Sequence, residues 1–384
     1  MDGPITPSGM RTVALRLDPL DVLFFRDGRP FTQASRAQSG LPMPQTLAGA
    51  LRTHWLRAAE CDFARLAERL RAKATLEEAI AEVCQAGWIA RAEVRGPWLC
   101  QDIDGGHLEV LVPLPANVQH VKEATKTQDN APAAGEWVRL DPLAPGLELP
   151  GWQPPMPDMR PLWVKRRART ERVVGYLRPA GLEAYLAGDV PGEDMVLRPE
   201  ELYGFDHRTG IVVQPDELTP EEGLIYAVSL LALERNVAFY AEVDLPADAP
   251  AGVLGAETLL DFGGEGRKVR ACPVERFAWP APPVPQNGRV LLLLTTPAVF
   301  AERWRPKLPE GLRLVAAAVS GYEAFSGWDL ALGGPKPTRF AVRAGSVYFL
   351  ESVNAQCTSG SVAESDEDRR LGWGCALQGV WNYV

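Results

Sequence analysis

Two long apolar arms flanking the tripeptide Glu234-Arg235-Asn236 constrain this chain most: residues 224–245 read LIYAVSLLALERNVAFYAEVDL. Runs of this length, broken only by a polar turn, are strand signals and commit the chain to an extensive sheet. The tripeptide reads as a hairpin turn joining the two arms. Further strands fit residues 267–277, 289–295 and 312–319. Residues 11–25 read as a first strand bent at Asp18-Pro19, ending in the turn Arg26-Asp27-Gly28-Arg29.

Helices are signalled between these strands. Pro42 and Pro44 stop extended structure, and Thr46 is the expected N-cap of a helix through about Ala59, with Leu47, Leu51 and Trp55 on one face. A second helix is expected over about 62–73. A third begins at Thr75, where Thr75 and Glu78 form a capping box, and ends at Gly87. Residues 88–101 and 107–113 read as paired strands around Asp104-Gly105-Gly106. Residues 115–161 are Pro-rich and weakly periodic, which predicts a long surface connection. Residues 162–177 read as a projecting basic hairpin, and a short helix is expected near 298–304.

At 384 residues the chain is long enough for two cores, and 46% hydrophobic with 23% charged residues fits a folded, water-soluble protein. Apolar runs such as 290–294 are too short to span a bilayer, and MDGPITPSG at the start lacks the regions of a signal peptide. No membrane association and a cytoplasmic location are therefore expected. The six cysteines form neither CxxC pairs nor a zinc-ligand spacing, so reduced thiols, no metal and no cofactor are expected.

The net charge of −9 argues against a polyanionic ligand until its distribution is read. Residues 179–223 hold eleven acidic and two basic residues, −9 in themselves, so the remainder sums to zero. Just upstream, residues 160–178 carry seven basic residues against Glu171 alone. A phosphate backbone responds to the field near its groove and not to the whole-chain sum. Within that arm, VKRRARTER places Lys165, Arg166, Arg167, Arg169 and Arg172 together, with Trp163 and Tyr176 near enough in sequence to stack on bases. A solvated face of a hairpin is the plainer alternative.

Several other stretches carry chemistry. FGGEGRKVR (262–270) fails the GxxxxGK[ST] spacing of a phosphate loop and is followed by strand residues, which excludes nucleotide hydrolysis at that point. Its glycines, including Gly264, permit close backbone approach, and Arg267, Lys268 and Arg270 are either ligand contacts or turn charges. YGFDHRTGIVV (203–213) resembles a known family segment in which Arg208-Thr209-Gly210 forms a tight turn, where His207 and Arg208 are either ligand contacts or caps of the turn. Lys336 and Arg339 sit in a Pro/Gly-laden turn between strand-like runs over 319–351, where the prolines preorganise the basic pair. Gly372, Gly374 and Gly379 lie in LGWGCALQG near the end of the sequence. No GxSxG, HExxH, HD or GGDD-like pattern is present.

VSGYEAFSGWDLALGGPKPTRFAVRAGSVYFLE (319–351), together with LDPLDVLFFRDGRPF (17–31), resembles a signature pair of the RAMP subunit of type III-B CRISPR Cmr effector complexes. The helix PMPQTLAGALRTHWL, the 203–213 and 262–270 stretches and the glycine-rich 371–379 segment resemble the same family. The resemblance runs from about residue 12 onward and is weakest across 60–160. It implies an α+β fold of two tandem ferredoxin-like (RRM-related) domains with loop and hairpin insertions. Expected bounds are 11–218, with a helical insertion at 60–87 and the basic arm at 160–178, and then 219–384.

The implied function is a non-catalytic RNA-binding subunit that clasps the 5′ tag of CRISPR RNA within a hetero-oligomeric complex. Implied partners are the large palm-domain Cas subunit and the backbone RAMP subunit. RNA contacts are expected from Arg26, Arg29, Thr46, Arg52, the arm residues 165–172, His207, Arg208, Gly264, Arg267, Lys268, Arg270, Lys336, Arg339, Gly372 and Gly374. Two alternatives stay open. One is a metal-independent endoribonuclease with His54 or His207 as general base; a packed histidine is the plainer reading of His54. The other is a protein-interaction scaffold whose arm docks on an acidic partner.

Overall fold

Eight strands form one antiparallel sheet in the order Val196–Leu197, Tyr176–Leu177, Leu108–Pro113, Glu93–Asp102, Val237–Pro246, Met10–Pro19, Lys268–Val274 and Thr258–Asp261. This computed structural model describes residues 9–25, 36–122, 136–213, 220–285, 287–329, 333–352 and 360–384. The four central strands stand in the order fourth, first, third, second along the chain: Lys268–Val274, Met10–Pro19, Val237–Pro246, Glu93–Asp102. All ten residues of Val237–Pro246 are buried, because both faces of the sheet are covered. Phe239, Ala241 and Val243 face the helical layer, while Ala238 and Tyr240 meet Trp98 and Val110 on the other side. That double covering explains the near-continuous apolar run in the sequence.

The helical layer is local in origin. α1 (Pro44–Ala58) buries Leu47, Leu51 and Trp55 as their spacing requires. α2 (Phe63–Arg71) is capped by Asp62, which accepts from the Ala64 and Arg65 amides at 2.9 and 3.2 Å. α3 (Leu76–Cys84) has the expected Thr75/Glu78 capping box. The N-cap of α1 differs from expectation: it is Met43, Pro44 occupies the first turn, and the Thr46 amide donates to the Met43 carbonyl at 2.9 Å. Proline at the first helical position lacks only a donor that would be unpaired anyway, so it opens this helix and does not merely precede it.

A second antiparallel sheet orders Leu312–Ala318, Val347–Ser352, Arg289–Leu294, Cys375–Val380 and Gly360–Ser361. Its four long strands repeat the fourth-first-third-second order. α5 (Pro179–Ala187) packs Leu182, Tyr185 and Leu186 against Leu291, Leu293, Phe349 and Trp381, with Val112 and Leu177 of the larger sheet in the same cluster. The two sheets are thereby joined through a common core.

Several expectations fail on long-range pairing. The arms at 224–245 are both strands, but Pro220–Leu233 pairs with Tyr203–Val213, whereas Val237–Pro246 enters the large sheet. The Glu234–Asn236 turn therefore passes the chain from one sheet to another and closes no hairpin. Arg208, Thr209 and Gly210 lie inside the Tyr203–Val213 strand, with Arg208 opposite Val228, and form no turn. The basic 162–177 hairpin does not form either. Leu162–Trp163 pairs with Asp141–Pro142, Thr170–Glu171 with Val118–Val121, and Tyr176–Leu177 with the large sheet.

The 115–161 connection is partly interior. Trp137, Val138 and Arg139 are buried, and Arg139 donates to the Tyr185 and Val380 carbonyls at 3.0 and 2.8 Å. Residues 88–91 form the short helix α4 (Trp88–Arg91) ahead of the Glu93–Asp102 strand. Near 298–304 isolated bridges replace the expected helix. Strands on both sides of position 218 share the large sheet, and the second sheet begins at Arg289. Among the described residues, no helix is long and apolar enough to cross a membrane.

Candidate nucleic-acid interface

Tyr322–Phe325 pairs antiparallel with Arg339–Val342, prolonged by Trp328–Asp329 against Gly334–Pro335. Arg339, expected in the turn, instead opens the returning strand opposite Phe325, and residues 330–332 lie outside the described residues. One face of this hairpin is pinned to the body. Phe325 and Ala341 are buried against Trp373, the Phe325 and Trp373 ring centroids being 4.3 Å apart. Gln45 of α1 donates to the Ser326 carbonyl at 2.9 Å.

Arg339 supplies a second pin. Its two terminal nitrogens meet the two oxygens of Asp368 at 2.8 and 2.7 Å, and Asp368 is buried. That paired carboxylate raises the Arg339 pKa. Arg339 is thus first a strut between the hairpin and α6 (Asp366–Arg370). Lys336 is exposed, with its main chain tied to Gly327 and Ser326 and no ion-pair partner for its ammonium among the described residues.

The other face of the hairpin carries what the sequence reading missed. Tyr322 is 69% exposed, Phe340 59% and Trp328 61%. Alternation marked these positions as strand, but which face docks depends on Trp373, some thirty residues or more away.

The basic arm ends beside this hairpin. Arg172 lies close enough to Arg343 that, after burial, the like charge of Arg343 lowers its pKa. Lys165, Arg167, Arg169 and Arg172 are exposed and have no ion-pair partner among the described residues. Arg166 is held bidentately by Glu136, and Glu171 is taken by Lys122 at 2.9 Å. Trp163 is exposed as expected. Tyr176 is not available for stacking: it is buried, with its hydroxyl 3.3 Å from that of Tyr203.

A second group of expected residues gathers elsewhere. Gly264 donates its amide to the Phe24 carbonyl at 2.8 Å, and a side chain at Gly263 would lie 2.5 Å from the same oxygen. The close approach that these glycines permit is therefore to the chain itself. Arg267 is paired with Asp21 at 2.6 Å, Lys268 with Asp261, and Arg270 with Glu257 at 2.9 Å. Arg208 is held by Asp206 at 2.7 Å, and His207 shares a 2.5 Å hydrogen bond with the Ser229 hydroxyl. Arg26 and Arg29, which follow Phe25 in sequence, lie outside the described residues.

The remaining expected residues line the seam between the sheets. Arg52 faces a cleft of about 460 Å³ with Thr75, Glu77, Glu367 and Arg370. Burial lowers its pKa, with Glu367 opposing. Gly372 has φ +90° and Gly374 φ +70°. A side chain at Gly372 would stand 2.6 Å from the Val94 carbonyl oxygen, so the glycine-rich loop is also built for contact with its own chain. His54 on α1 is half-buried, and burial followed by Arg57 lowers its pKa. Among the described residues no group of His, Cys, Asp and Glu is arranged to hold a metal ion. Cys61, Cys84, Cys100, Cys272 and Cys375 are free thiols.

Comparison with known proteins gives one family and a set of folds. The family model described as CRISPR-associated protein (Cas_Cmr3) matches residues 15–381. No curated protein matches the chain. Among solved structures, it is similar to a chain in the cryo-EM structure of the type III-B Cmr-beta bound to cognate target RNA and AMPPnP, state 1. The identity is 15%, covering 88% of this chain and 86% of that one, with a TM-score of 0.48. A chain in the structure of the type III-B Cmr-beta bound to cognate target RNA matches with the same identity and coverage and a TM-score of 0.49.

Proposed function

Because the chain belongs to the CRISPR-associated protein (Cas_Cmr3) family, we propose that it is a non-catalytic, RNA-binding subunit of a type III-B CRISPR effector complex. Its ligand in this reading is the 5′ tag of the CRISPR RNA. The observation that carries it is the row Lys165, Arg167, Arg169 and Arg172, four exposed cations without acidic partners among the described residues, ending at the hairpin that bears Lys336. Unpaired guanidinium groups in a row suit a phosphate backbone, since no internal ion pair has to be given up for contact.

The architecture in this reading is two tandem ferredoxin-like RAMP domains. The fourth-first-third-second strand order, antiparallel throughout and repeated in both sheets, supports it. The division between the domains then falls in 275–288, between the Lys268–Val274 and Arg289–Leu294 strands. The bridging role, with the large palm-domain subunit on one side and the backbone RAMP subunit on the other, is supported by the segregation of charge. The arm is basic, while residues 179–223 carry −9. A cytoplasmic ribonucleoprotein is the setting that this reading requires.

The test is ultraviolet crosslinking of the complex purified with its co-expressed CRISPR locus, followed by RNA sequencing and peptide mapping. Crosslinks at the constant 5′ tag that map to 163–172 or 322–343 are expected. RNA ending at a fresh cleavage site made in EDTA and lost in His54→Ala would replace this reading with the ribonuclease. Absence of crosslinked RNA, with loss of assembly on charge reversal at 165–172, would replace it with a protein scaffold.

A further inference from the structure

Arg52 and Arg370 are half-buried cations without counter-ions. Arg52 stands on α1, where burial lowers its pKa. Arg370 closes α6, and its neighbour Arg369 is taken by Glu93 at 2.5 Å. Neither Arg52 nor Arg370 makes a hydrogen bond or an ion pair among the described residues. Withdrawing a charge from water without a partner is costly, and this chain does so twice in the lining of one cleft of about 460 Å³. Both supports are fixed: α1 is seated by Leu51 and Trp55, and α6 by the Arg339–Asp368 pair. Two preorganised guanidinium groups that lack acceptors mark an anion site.

The rest of the lining selects the anion. The cleft falls in the size range of small-molecule sites, about 300–1,000 Å³, so a bare phosphate would leave most of it empty. Leu76 of α3 and Ala90 of α4 add apolar surface to it. Two carboxylates also face it. Glu77 is held by Arg91 at 2.9 Å, an arginine that it shares with Asp248. Glu367 has no partner for its carboxylate among the described residues, and its charge acts on Arg52 without an ion pair. An acidic side chain of a protein partner would satisfy the arginines but bring a second anion against Glu367, with no donor to relieve it. A nucleotide joins the three chemistries that the cleft offers: a phosphate for the guanidinium groups, hydroxyl and amino donors for Glu367, and a flat base for the apolar surface.

We propose that the cleft between α1, α3 and α6 binds one nucleotide unit, its phosphate held by Arg52 and Arg370 and a ribose hydroxyl or base amino group donating to Glu367. A free nucleoside monophosphate and a single residue of an RNA chain share this chemistry. The site lies apart from the arm and the hairpin of the reading above, and it gives Arg52 two partners, Arg370 and Glu367, that the sequence did not nominate.

The test is calorimetric titration of the full-length chain with the nucleoside 5′-monophosphates, adenosine, inorganic phosphate and single-stranded RNA of the repeat-derived tag sequence. The monophosphates should bind, with adenosine and phosphate alone at least about tenfold weaker. Arg370→Ala should weaken monophosphate binding by about ten- to a hundredfold and leave the urea midpoint unchanged, because Arg370 holds nothing in the unliganded chain. Arg52→Lys should act in the same direction, since an ammonium cannot replace the planar fork. Monophosphates that fail while tag RNA binds, and binds more weakly in Arg370→Ala, would make an RNA residue the occupant. Phosphate binding as tightly as the monophosphates would overturn the nucleotide site. Affinities for monophosphate and RNA unchanged in both variants would overturn it too, leaving the RNA-binding reading of the arm standing. A wild-type chain that binds neither would overturn both.

Discussion

Replacing Arg339 separates a structural role from a binding role, because the structure gives that arginine a measurable task before any ligand arrives. In Arg339→Ala, two charge-assisted hydrogen bonds of 2.8 and 2.7 Å are lost. Asp368, only 6% exposed, keeps a single side-chain partner, the Ser365 hydroxyl at 3.0 Å. Breaking a buried pair from one side costs about 3–5 kcal/mol. The Arg339 side chain is itself 42% exposed, so water relieves part of that penalty and about 2 kcal/mol is expected. Lys336→Ala, which removes an exposed ammonium with no partner, should stay within about 0.5 kcal/mol. Adding Asp368→Asn to Arg339→Ala should restore much of the loss, giving a coupling of roughly 2 kcal/mol in a double-mutant cycle. Urea unfolding measures the totals, and hydrogen exchange at the Phe325 and Ala341 amides localises them. A stability change below about 0.5 kcal/mol in Arg339→Ala, with a reduced salt slope for RNA, would refute the strut and return Arg339 to direct phosphate contact.

Two further outcomes follow from the geometry. Gly372→Ala places a methyl 2.6 Å from the Val94 carbonyl oxygen at φ +90°, and should cost more than the roughly 1–3 kcal/mol of backbone strain alone. Gly266→Ala, at φ +65° with no atom within 4 Å, should cost about 1 kcal/mol, so equal denaturant midpoints would contradict the contact. Asp261 is held below the ordinary aspartate range first by Lys268 and then by Arg57, both donating to it. Its contribution is present above the unfolded pKa and lost as pH falls through the lower folded value. Asp261→Asn should therefore flatten the acid side of the stability–pH curve, by at most about 1 kcal/mol at this exposed site, and parallel curves would count against the pair.

What the sequence made legible was local. The Thr75/Glu78 box lies within a few residues of the turn that it closes, and it forms. The arms at 224–245 are strands because apolar runs favour a sheet, but the strand partner of Pro220–Leu233 is set by eleven residues around Phe205 and not by the turn that follows it. A reversal of direction is encoded nearby; the sheet that receives each arm is not. The same limit hid the partners of Val237–Pro246, which stands between Met10–Pro19 and Glu93–Asp102.

The site was half legible for a related reason. Positive residues can be read from a sequence, but their neutralisation cannot. Arg267 is paired with a carboxylate 246 residues away, and Arg369 with one 276 residues away. An arginine already in such a pair must exchange one anion for another to hold a phosphate, so its net gain is small and its removal acts partly on stability. An unpaired arginine on an exposed arm gains the whole contact. Of the cations that the sequence nominated, Arg166, Arg208, Arg267, Lys268, Arg270 and Arg339 are of the first kind. Lys165, Arg167, Arg169, Arg172 and Lys336 are of the second among the described residues. In a chain of net charge −9, the nominated cations that are exposed and stay unpaired among the described residues therefore lie on one arm and one hairpin, although other exposed, unpaired cations such as Arg65, Arg235 and Arg303 stand elsewhere.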